Sequence, residues 1–142
     1  MLRYYSRFTL IAGAMVFALF YFSCGSNDPS HEAHVSVQID DYTYQYLPGT
    51  KAEIPVVVSV SGKKSWSGPV KMVVRQGKEI LTEATENISV GSDTEKSVII
   101  PIVLPDSLGT YEMVAEIIQP SGAPFLSRRL IEIVKKLRKA EI

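Results

Sequence analysis

The stretch KAEIPVVVSV, residues 51–60, decides the fold class of this 142-residue chain. Its apolar side chains occupy every second position: Ile54, Val56, Val58 and Val60. This period of two is typical of a β-strand that buries one face. Pro55 lies inside the stretch and has no backbone N–H, so it predicts an unpaired position at a sheet edge or at a bulge.

The same alternation recurs on both sides of this stretch. The further predicted strands are residues 34–40, 70–74, 79–82, 88–90, 97–104, 110–119 and 124–134. Turns rich in glycine, proline, serine and aspartate separate them, and no segment between 34 and 134 has a helical period of adequate length. The chain is therefore predicted to be all-β, with about seven to nine strands in a single antiparallel β-sandwich over residues 34–134.

Two of the predicted strands contain residues that indicate their place in the sandwich. Residues 97–104, SVIIPIVL, are apolar on both faces, which favours a central strand with a local break at Pro101. Arg128 and Arg129 are neighbours in the last strand and must point to opposite faces. One of them is expected to reach inward to a carboxylate or to lie along an apolar surface.

The chain begins with a basic and then apolar segment. Residues 8–22 form an unbroken apolar run, and Arg3 and Arg7 precede it without any acidic residue. The run is shorter than the roughly 20 residues of a transmembrane helix, and its layout is that of a secretory signal peptide. Residues 1–23 are therefore predicted to be a signal peptide, and the alternative is an uncleaved signal anchor.

The only cysteine, Cys24, lies directly after this segment in the sequence YFSCG, residues 21–25. This arrangement resembles a bacterial lipoprotein signal, in which a small residue precedes the cysteine that is lipidated. The resemblance implies a cell-envelope protein, expected at the outer membrane, whose partner is the membrane through acyl chains on Cys24. More than one chain is needed for stable anchoring.

Residues 24–33 contain the lipidated cysteine and a polar segment that is predicted to be a flexible tether. The short acidic, serine-bearing stretch after the cysteine resembles the surface-export signals of Bacteroidota lipoproteins. His31 and His34 are three positions apart, a spacing that suits a metal only in a helix, and Pro29 argues against a helix here. We expect solvated histidines and no metal site.

Charge and cysteine content exclude several classes of partner. The chain has 15 basic and 15 acidic residues, and the leader holds two of the basic ones, so the part after the leader has a net charge of −2. This balance gives no reason to expect nucleic acid as a partner. A single cysteine excludes an internal disulfide and a thiolate metal site. The basic tail, residues 135–142, is predicted to be solvated, with a contact to anionic headgroups as the alternative.

The acidic and histidine residues do not predict an enzyme. Both histidines precede or begin the folded domain, so no Ser-His-Asp arrangement can be built. Glu112 and Glu116 lie on one face of a predicted strand, where they are expected to form its solvent side. There is no phosphate-binding loop and no zinc spacing. We therefore predict a protein that is not an enzyme and has no cofactor.

Aromatic residues are the candidate binding residues. Trp66 lies in a predicted polar loop, residues 61–68, and a flat exposed ring there could stack on a sugar or on a partner chain. Tyr42, Tyr44 and Tyr46 alternate and would project from one face. The alternative, which we favour, is that the tyrosines cover a sheet edge and that Trp66 folds back over the core.

Two longer segments carry a family resemblance: YLPGTKAEIPVVVSVSGKKSWSGPVKMVVRQGKEI, residues 46–80, and SVIIPIVLPDSLGTYEMVAEIIQPSGAPFLSRR, residues 97–129. They resemble immunoglobulin-like or fibronectin III-like domains, and more narrowly the accessory sandwiches of bacterial glycoside hydrolases and other envelope proteins. The shared positions are Pro48, Gly49, Gly68, Val70, Leu104, Pro105 and Gly109 through Ile117. The immunoglobulin cysteine pair is absent, so packing alone joins the two sheets.

The expected function is therefore that of a non-catalytic cell-envelope lipoprotein that acts as a protein-binding or assembly module. Its edge strands offer backbone groups for strand addition by an envelope protein. The alternative is a carbohydrate-binding accessory lipoprotein that uses the aromatic residues, with a glycan as its partner.

Overall fold

The computed structural model describes residues 33–139, which form eight strands and no helix. The strands are β1 (His34–Ile39), β2 (Gln45–Tyr46), β3 (Lys51–Ser61), β4 (Trp66–Gln76), β5 (Glu79–Val90), β6 (Glu95–Val103), β7 (Gly109–Ile118) and β8 (Pro124–Ile133). The all-β fold class is confirmed. The predicted signal peptide, Cys24 and residues 25–32 lie outside the described residues.

The strands form two sheets. One has three strands in the order β1-β3-β6, and the other has five in the order β2-β8-β7-β4-β5. All pairs are antiparallel except β2 with β8, which is parallel, so the prediction of a purely antiparallel sandwich is wrong at this pair. The parallel pair arises because the chain crosses to the other sheet after β1 and then runs along β8. The carbonyls of Tyr44 and Tyr46 accept hydrogen bonds there from the amides of Glu132 and Val134, at 2.7 and 2.9 Å.

The core lies between the two sheets and consists of the alternating apolar residues. β3 follows the predicted pattern, because Ile54, Val56, Val58 and Val60 are each at most 4% exposed. The largest side chains that are fully buried are Ile54, Met72, Ile100, Leu104, Met113, Ile117 and Ile131. Within residues 33–139 no polar or charged residue is buried. Apolar packing between the sheets therefore replaces the missing disulfide.

β5 is one strand of 12 residues, whereas the sequence predicted two short strands and a gap at residues 83–87. The gap was inferred from the polar segment TEATEN, residues 82–87, which hides the alternation. β5 is the edge strand of its sheet, and one of its two faces points to water. Polar residues are therefore tolerated on that face. A bulge opposite Val74 and Arg75 shifts the register near the start of β5.

β6 is an edge strand, and the prediction that residues 97–104 form a central strand is wrong. Ile99 and Val103 point away from the core and are 57% and 53% exposed. Pro101 lies within β6 and does not break it. An apolar outer face therefore produced the pattern of a strand buried on both sides.

The hydrogen bonds of β6 explain why Pro101 is tolerated. Thr94 accepts a bond from Val60, and Leu104 donates one to Thr50, each at 2.8 Å. The register between β3 and β6 is constant. The backbone N–H and C=O groups of the even-numbered residues of β6 therefore bond to β3, and those of the odd-numbered residues point away from β3, toward the free edge. The nitrogen of Pro101 thus lies at the free edge, where no donor is required.

Pro55 has a comparable position on the other side of β3. Its carbonyl accepts a bond of 2.9 Å from the amide of Asp40, the residue that follows β1. The nitrogen of a strand residue faces the same side as its carbonyl, so the missing N–H falls where the pairing with β1 ends. The predicted unpaired position is therefore present at the end of β1.

Candidate functional site

The sequence predicted that Trp66 lies in a loop, but in the structure Trp66 is the first residue of β4. Its side chain is only 7% exposed, and its indole Nε1 donates to the Ile118 carbonyl at 3.2 Å. The ring covers Gly68, where an added Cβ would lie 2.7 Å from the Trp66 Cζ2 atom. Trp66 therefore packs over the end of the core and offers no exposed ring face for a ligand.

The three candidate tyrosines do not project from one face. Tyr42 and Tyr44 are 83% and 54% exposed, whereas Tyr46 is buried in β2. The chain has no regular strand between residues 40 and 44, so the period of two stops before Tyr42. Only Tyr42 and Tyr44 remain as candidates for direct contact with a ligand.

Tyr46 and Asp41 form a polar corner beneath Tyr42. The Tyr46 hydroxyl donates to Asp41 Oδ2 at 2.7 Å, and the amide of Thr43 donates to Oδ1 at 2.9 Å. Burial alone would raise the pKa of Asp41, but these hydrogen bonds and the nearby positive charge of Arg129 outweigh it and lower that pKa below 3.8. Burial and the bond to Asp41 raise the pKa of Tyr46 well above its ordinary value.

Arg129 is the inward-pointing member of the arginine pair. Its guanidinium carbon lies 5.6 Å from the centre of the Tyr42 ring, a cation–π contact. Arg128 points to the other face of β8, where its Nε lies 3.6 Å from Glu112 Oε1. The alternation expected for neighbouring strand residues is thus present, and Arg129 fixes one face of Tyr42.

Residues 137–139 of the basic tail lie beside the exposed tyrosines. A shallow surface groove runs between residues 42–45 and residues 137–139. The amide of Arg138 donates to Gln45 Oε1 at 3.4 Å, which holds the tail along β2. The groove therefore combines two aromatic rings with basic side chains.

A second candidate site lies on the opposite side of the sandwich, between the start of β5 and the end of β6. A cleft of about 420 Å³ opens there. Its lining residues are Gln76, Leu81, Thr82, Val103, Leu104, Pro105, Asp106, Ser107 and Tyr111. Leu81 and Val103 are 38% and 53% exposed, and Thr82 Oγ1 is buried without a hydrogen-bond partner among the described residues. We call this the β5–β6 cleft.

The free edge of β6 begins at this cleft with Val103 and continues away from it along the strand. The outward-facing residues of β6 are the odd-numbered ones, so Ser97, Ile99 and Val103 present an N–H and a C=O to solvent. Sequence reasoning missed this site because it placed residues 97–104 in the centre of a sheet. Pro101 was the signal that could have revealed an edge, since proline is rare in central strands.

Glu112 and Glu116 lie on the solvent side of the five-stranded sheet, as the sequence predicted. Glu112 accepts a hydrogen bond from Arg75 Nε at 3.0 Å and also contacts Arg128. Glu116 lies two positions further along the same face, beyond Val114. Glu116 lines a small indentation of about 120 Å³ together with Val114, Val73 and basic side chains, and Glu112 is not among its lining residues.

Among residues 33–139 no group of three or more histidine, cysteine, aspartate or glutamate side chains is placed to hold a metal ion. The same range contains no helix that is long and apolar enough to cross a membrane.

Comparison with known proteins supports the fold. No family model matches the sequence, and a comparison with curated proteins finds no match. Among solved structures, the CARDB domain of the PF1109 protein from Pyrococcus furiosus, solved in complex with di-metal ions, is similar with a TM-score of 0.59 and 16% identity, over 75% of this chain and 97% of that chain. A solution structure of the same domain gives a TM-score of 0.53.

A second similar structure is a cycloisomaltooligosaccharide glucanotransferase from Paenibacillus sp., solved with cycloisomaltoheptaose. The match has a TM-score of 0.54 and 16% identity and covers 72% of this chain but only 15% of the enzyme. At this identity the likeness concerns the fold alone. The chain has an immunoglobulin-like β-sandwich fold similar to CARDB domains and to one segment of a larger enzyme.

Proposed function

We propose that this chain is a non-catalytic cell-envelope lipoprotein that binds another envelope protein at the free edge of β6. Cys24 carries the lipid, and residues 24–33 hold the sandwich away from the membrane. The observation that carries the binding proposal is the edge itself, where unpaired backbone groups lie beside exposed Ile99 and Val103. An extended segment of the partner adds to the sheet as a further strand.

The engaged state of the carboxylates supports a non-catalytic role. Glu112 is held between two arginines, and Lys71 Nζ lies 3.4 Å from Glu83 Oε2. Carboxylates already paired with neighbouring cations on an exposed sheet are poor general acids, because such chemistry needs a proton donor placed within hydrogen-bond reach of a bound substrate.

Labelling with radioactive palmitate tests the anchor. We expect the full chain to incorporate label in a bacterial host that processes lipoproteins, and the Cys24→Ala variant to incorporate none. Absence of label in the wild type, or label that persists in the variant, contradicts the lipoprotein assignment. This result is independent of the binding site.

Photo-crosslinking in cells tests the edge. A photoreactive residue at Ser97 is expected to yield one protein adduct, whereas the same residue at Glu53, on the same face but in the central strand β3, is expected to yield none. Ile99→Pro removes an outward N–H without touching the bonds to β3 and is expected to abolish the adduct. Ile99→Ala keeps that N–H and is expected to retain it.

Two outcomes of this experiment contradict edge binding. One is an equal adduct from Ser97 and Glu53, which indicates contact with the whole face. The other is an adduct that survives Ile99→Pro, which indicates a partner that does not use the backbone of β6.

Glycan binding at Tyr42 is the second candidate function. The observation in its favour is that the ring is 83% exposed while Arg129 contacts one of its faces, so the other face is free to stack on a sugar. A glycan array tests it with the wild type, Tyr42→Phe and Tyr42→Ala. Binding that is kept by Tyr42→Phe and lost in Tyr42→Ala supports this function, and binding unaffected by Tyr42→Ala, or no binding at all, contradicts it.

A further inference from the structure

The solvent side of the five-stranded sheet has an ordered arrangement of apolar and charged side chains. Cross-strand register places its residues in three rows, each read from β5 through β4 and β7 to β8. The rows are Thr85-Lys71-Glu116-Leu126, then Glu83-Val73-Val114-Arg128, then Ile80-Arg75-Glu112-Leu130. We call these twelve positions the outer face.

The outer face includes three exposed apolar side chains. Leu130, Ile80 and Leu126 are 68%, 53% and 37% exposed. Val114, at its centre, is only 4% exposed although it points away from the core, because its neighbours close over it. The exposed apolar side chains thus lie at corners of the outer face, and charged side chains surround the two valines at its centre.

Charge on the outer face is balanced and separated by strand. The face has three basic and three acidic side chains, and within one copy they already pair in part, as Arg75 with Glu112 at 3.0 Å and Lys71 with Glu83 at 3.4 Å. β4 carries only basic charge on this face, and β7 carries only acidic charge. A surface with this pattern is complementary to a second copy of itself.

We propose that two copies of this chain associate through the outer face, about a two-fold axis that runs parallel to the strands between β4 and β7. This axis places β4 of one copy over β7 of the other, and β5 over β8. The resulting contacts between copies are Lys71 with Glu116, Arg75 with Glu112, Glu83 with Arg128, Val73 with Val114, and Ile80 with Leu130, each formed twice.

The direction of the axis follows from charge. An axis perpendicular to the strands through the central row would place Lys71 over Arg75, and Glu116 over Glu112, so that like charges meet. Packed sheets rotate by about 30° relative to each other, which keeps the central row aligned and leaves the outer rows within reach of long side chains. The strand-parallel axis is therefore the one that pairs all six charges.

The mass of the full chain in detergent solution, measured by analytical ultracentrifugation, tests the proposal. We expect a dimer for the wild type and a monomer for Leu130→Glu, which puts a charge against Ile80 of the other copy. Leu47→Glu changes an exposed leucine in the turn before β3 and is the matched control, expected to remain a dimer. A monomeric wild type overturns the proposal, as does a Leu130→Glu variant that stays dimeric.

Charge reversal tests the axis. Lys71→Glu is expected to weaken the dimer by at least about tenfold in Kd, because it sets two acidic groups against each other twice. The double variant Lys71→Glu with Glu116→Lys restores unlike pairs and is expected to recover the dimer. The perpendicular axis gives the opposite result, a stronger dimer for Lys71→Glu, and that result overturns the proposed geometry. Circular dichroism of each variant confirms that the sheet is retained.

Discussion

The sandwich has two sides at which strands of the two sheets lie next to each other, β1 beside β8 and β5 beside β6. The contacts between the sheets differ on these two sides. On the β1–β8 side the Ile39 amide donates to Ser127 Oγ at 3.1 Å, and His34 meets Phe125 edge to face at 6.2 Å. On the β5–β6 side Lys96 Nζ donates to the Ser89 carbonyl at 3.4 Å. One polar atom on each side is buried without a partner among the described residues: Arg129 Nη1 on the β1–β8 side and Thr82 Oγ1, beside exposed Leu81, on the β5–β6 side.

The two sides therefore differ in the β5–β6 cleft, since each has a polar bond between the sheets and a buried polar atom without a partner in the described residues. A polar bond from a strand edge to a side chain of the other sheet satisfies a backbone donor and fixes the two sheets together. An unsatisfied hydroxyl beside exposed apolar groups is costly in the free protein and is relieved when a partner covers it. The cleft and the free edge of β6 are the features that favour the β5–β6 side as the binding side.

The largest expected effect tests whether the β5–β6 cleft is confined to the surface. Leu104 lines the cleft but is only 1% exposed. We expect Leu104→Ala to lower the free energy of unfolding by about 3 kcal/mol, because it leaves a cavity in a packed core. Urea denaturation measures the loss.

Leu108→Ala is the matched control, since Leu108 lies four residues away and is 47% exposed. Its expected change is within about 0.5 kcal/mol. A loss below about 1 kcal/mol for Leu104→Ala would mean that the cleft reaches into the core and that this side is loosely packed.

The second largest effect concerns the packing of Trp66, near the turn that joins β5 to β6. Trp66 pairs with Val90, the last residue of β5, and covers Gly68. We expect Gly68→Ala to displace the indole and to destabilise the fold by about 2 kcal/mol, since the new Cβ cannot share that space. Fluorescence of the single tryptophan is expected to shift to longer wavelength in the folded variant as the ring becomes exposed.

The adjacent exposed residue Ser67 provides the control for this change. Ser67→Ala removes a surface hydrogen bond to Ser89 and is expected to leave the emission maximum unchanged. Unchanged emission in Gly68→Ala would show that the ring has room to move and that this end is not held closed by Trp66.

The all-β fold could be predicted from sequence because alternation is a property of each strand by itself. β3 shows this well, as Ile54 through Val60 alternate and are buried as expected. The order of strands within the sheets is set by contacts between distant segments, and no local pattern reports it. The exposed Ile99 and Val103 have the same composition as a buried strand, so β6 was wrongly placed at the centre.

The candidate site was less predictable than the fold. Tyr42 was among the predicted binding residues and is exposed, whereas Trp66 and Tyr46 are core residues. An aromatic residue among polar neighbours gives the same sequence pattern whether its side chain is buried in the core or exposed to solvent. The β5–β6 cleft depends on where two edges diverge, which the sequence does not encode locally.

Two smaller changes in stability, opposite in sign, test the difference between the β1–β8 side and the β5–β6 side. Ser127→Ala is expected to destabilise the fold by about 1 kcal/mol, because the Ile39 amide loses its acceptor. Thr82→Val is expected to stabilise it by about 1 kcal/mol, because valine replaces a buried hydroxyl that has no partner in the described residues. Midpoints of urea denaturation measure both changes.

The same pair of variants links stability to binding. If the β5–β6 side is the binding side, Thr82→Val changes the yield of the Ser97 adduct and Ser127→Ala does not. Equal signs for the two stability changes would show that both sides are closed to a similar degree, and the comparison would fail.

The smallest effect is a pH dependence on the β1–β8 side. The pKa of Asp41 is lowered, so its ionised form stabilises the folded state at pH values above 3.8, and this stabilisation is lost as the pH falls through the lower folded value. Asp41 is only partly buried, so the expected contribution after screening is below about 1 kcal/mol. Asp41→Asn removes the charge, and the difference in unfolding free energy between wild type and variant is expected to shrink as the pH is lowered from neutral to below 3.8. A difference that grows on acidification would mean that burial, which raises the pKa, outweighs the bonds from Thr43 and Tyr46, and that this corner does not hold the β1–β8 side closed.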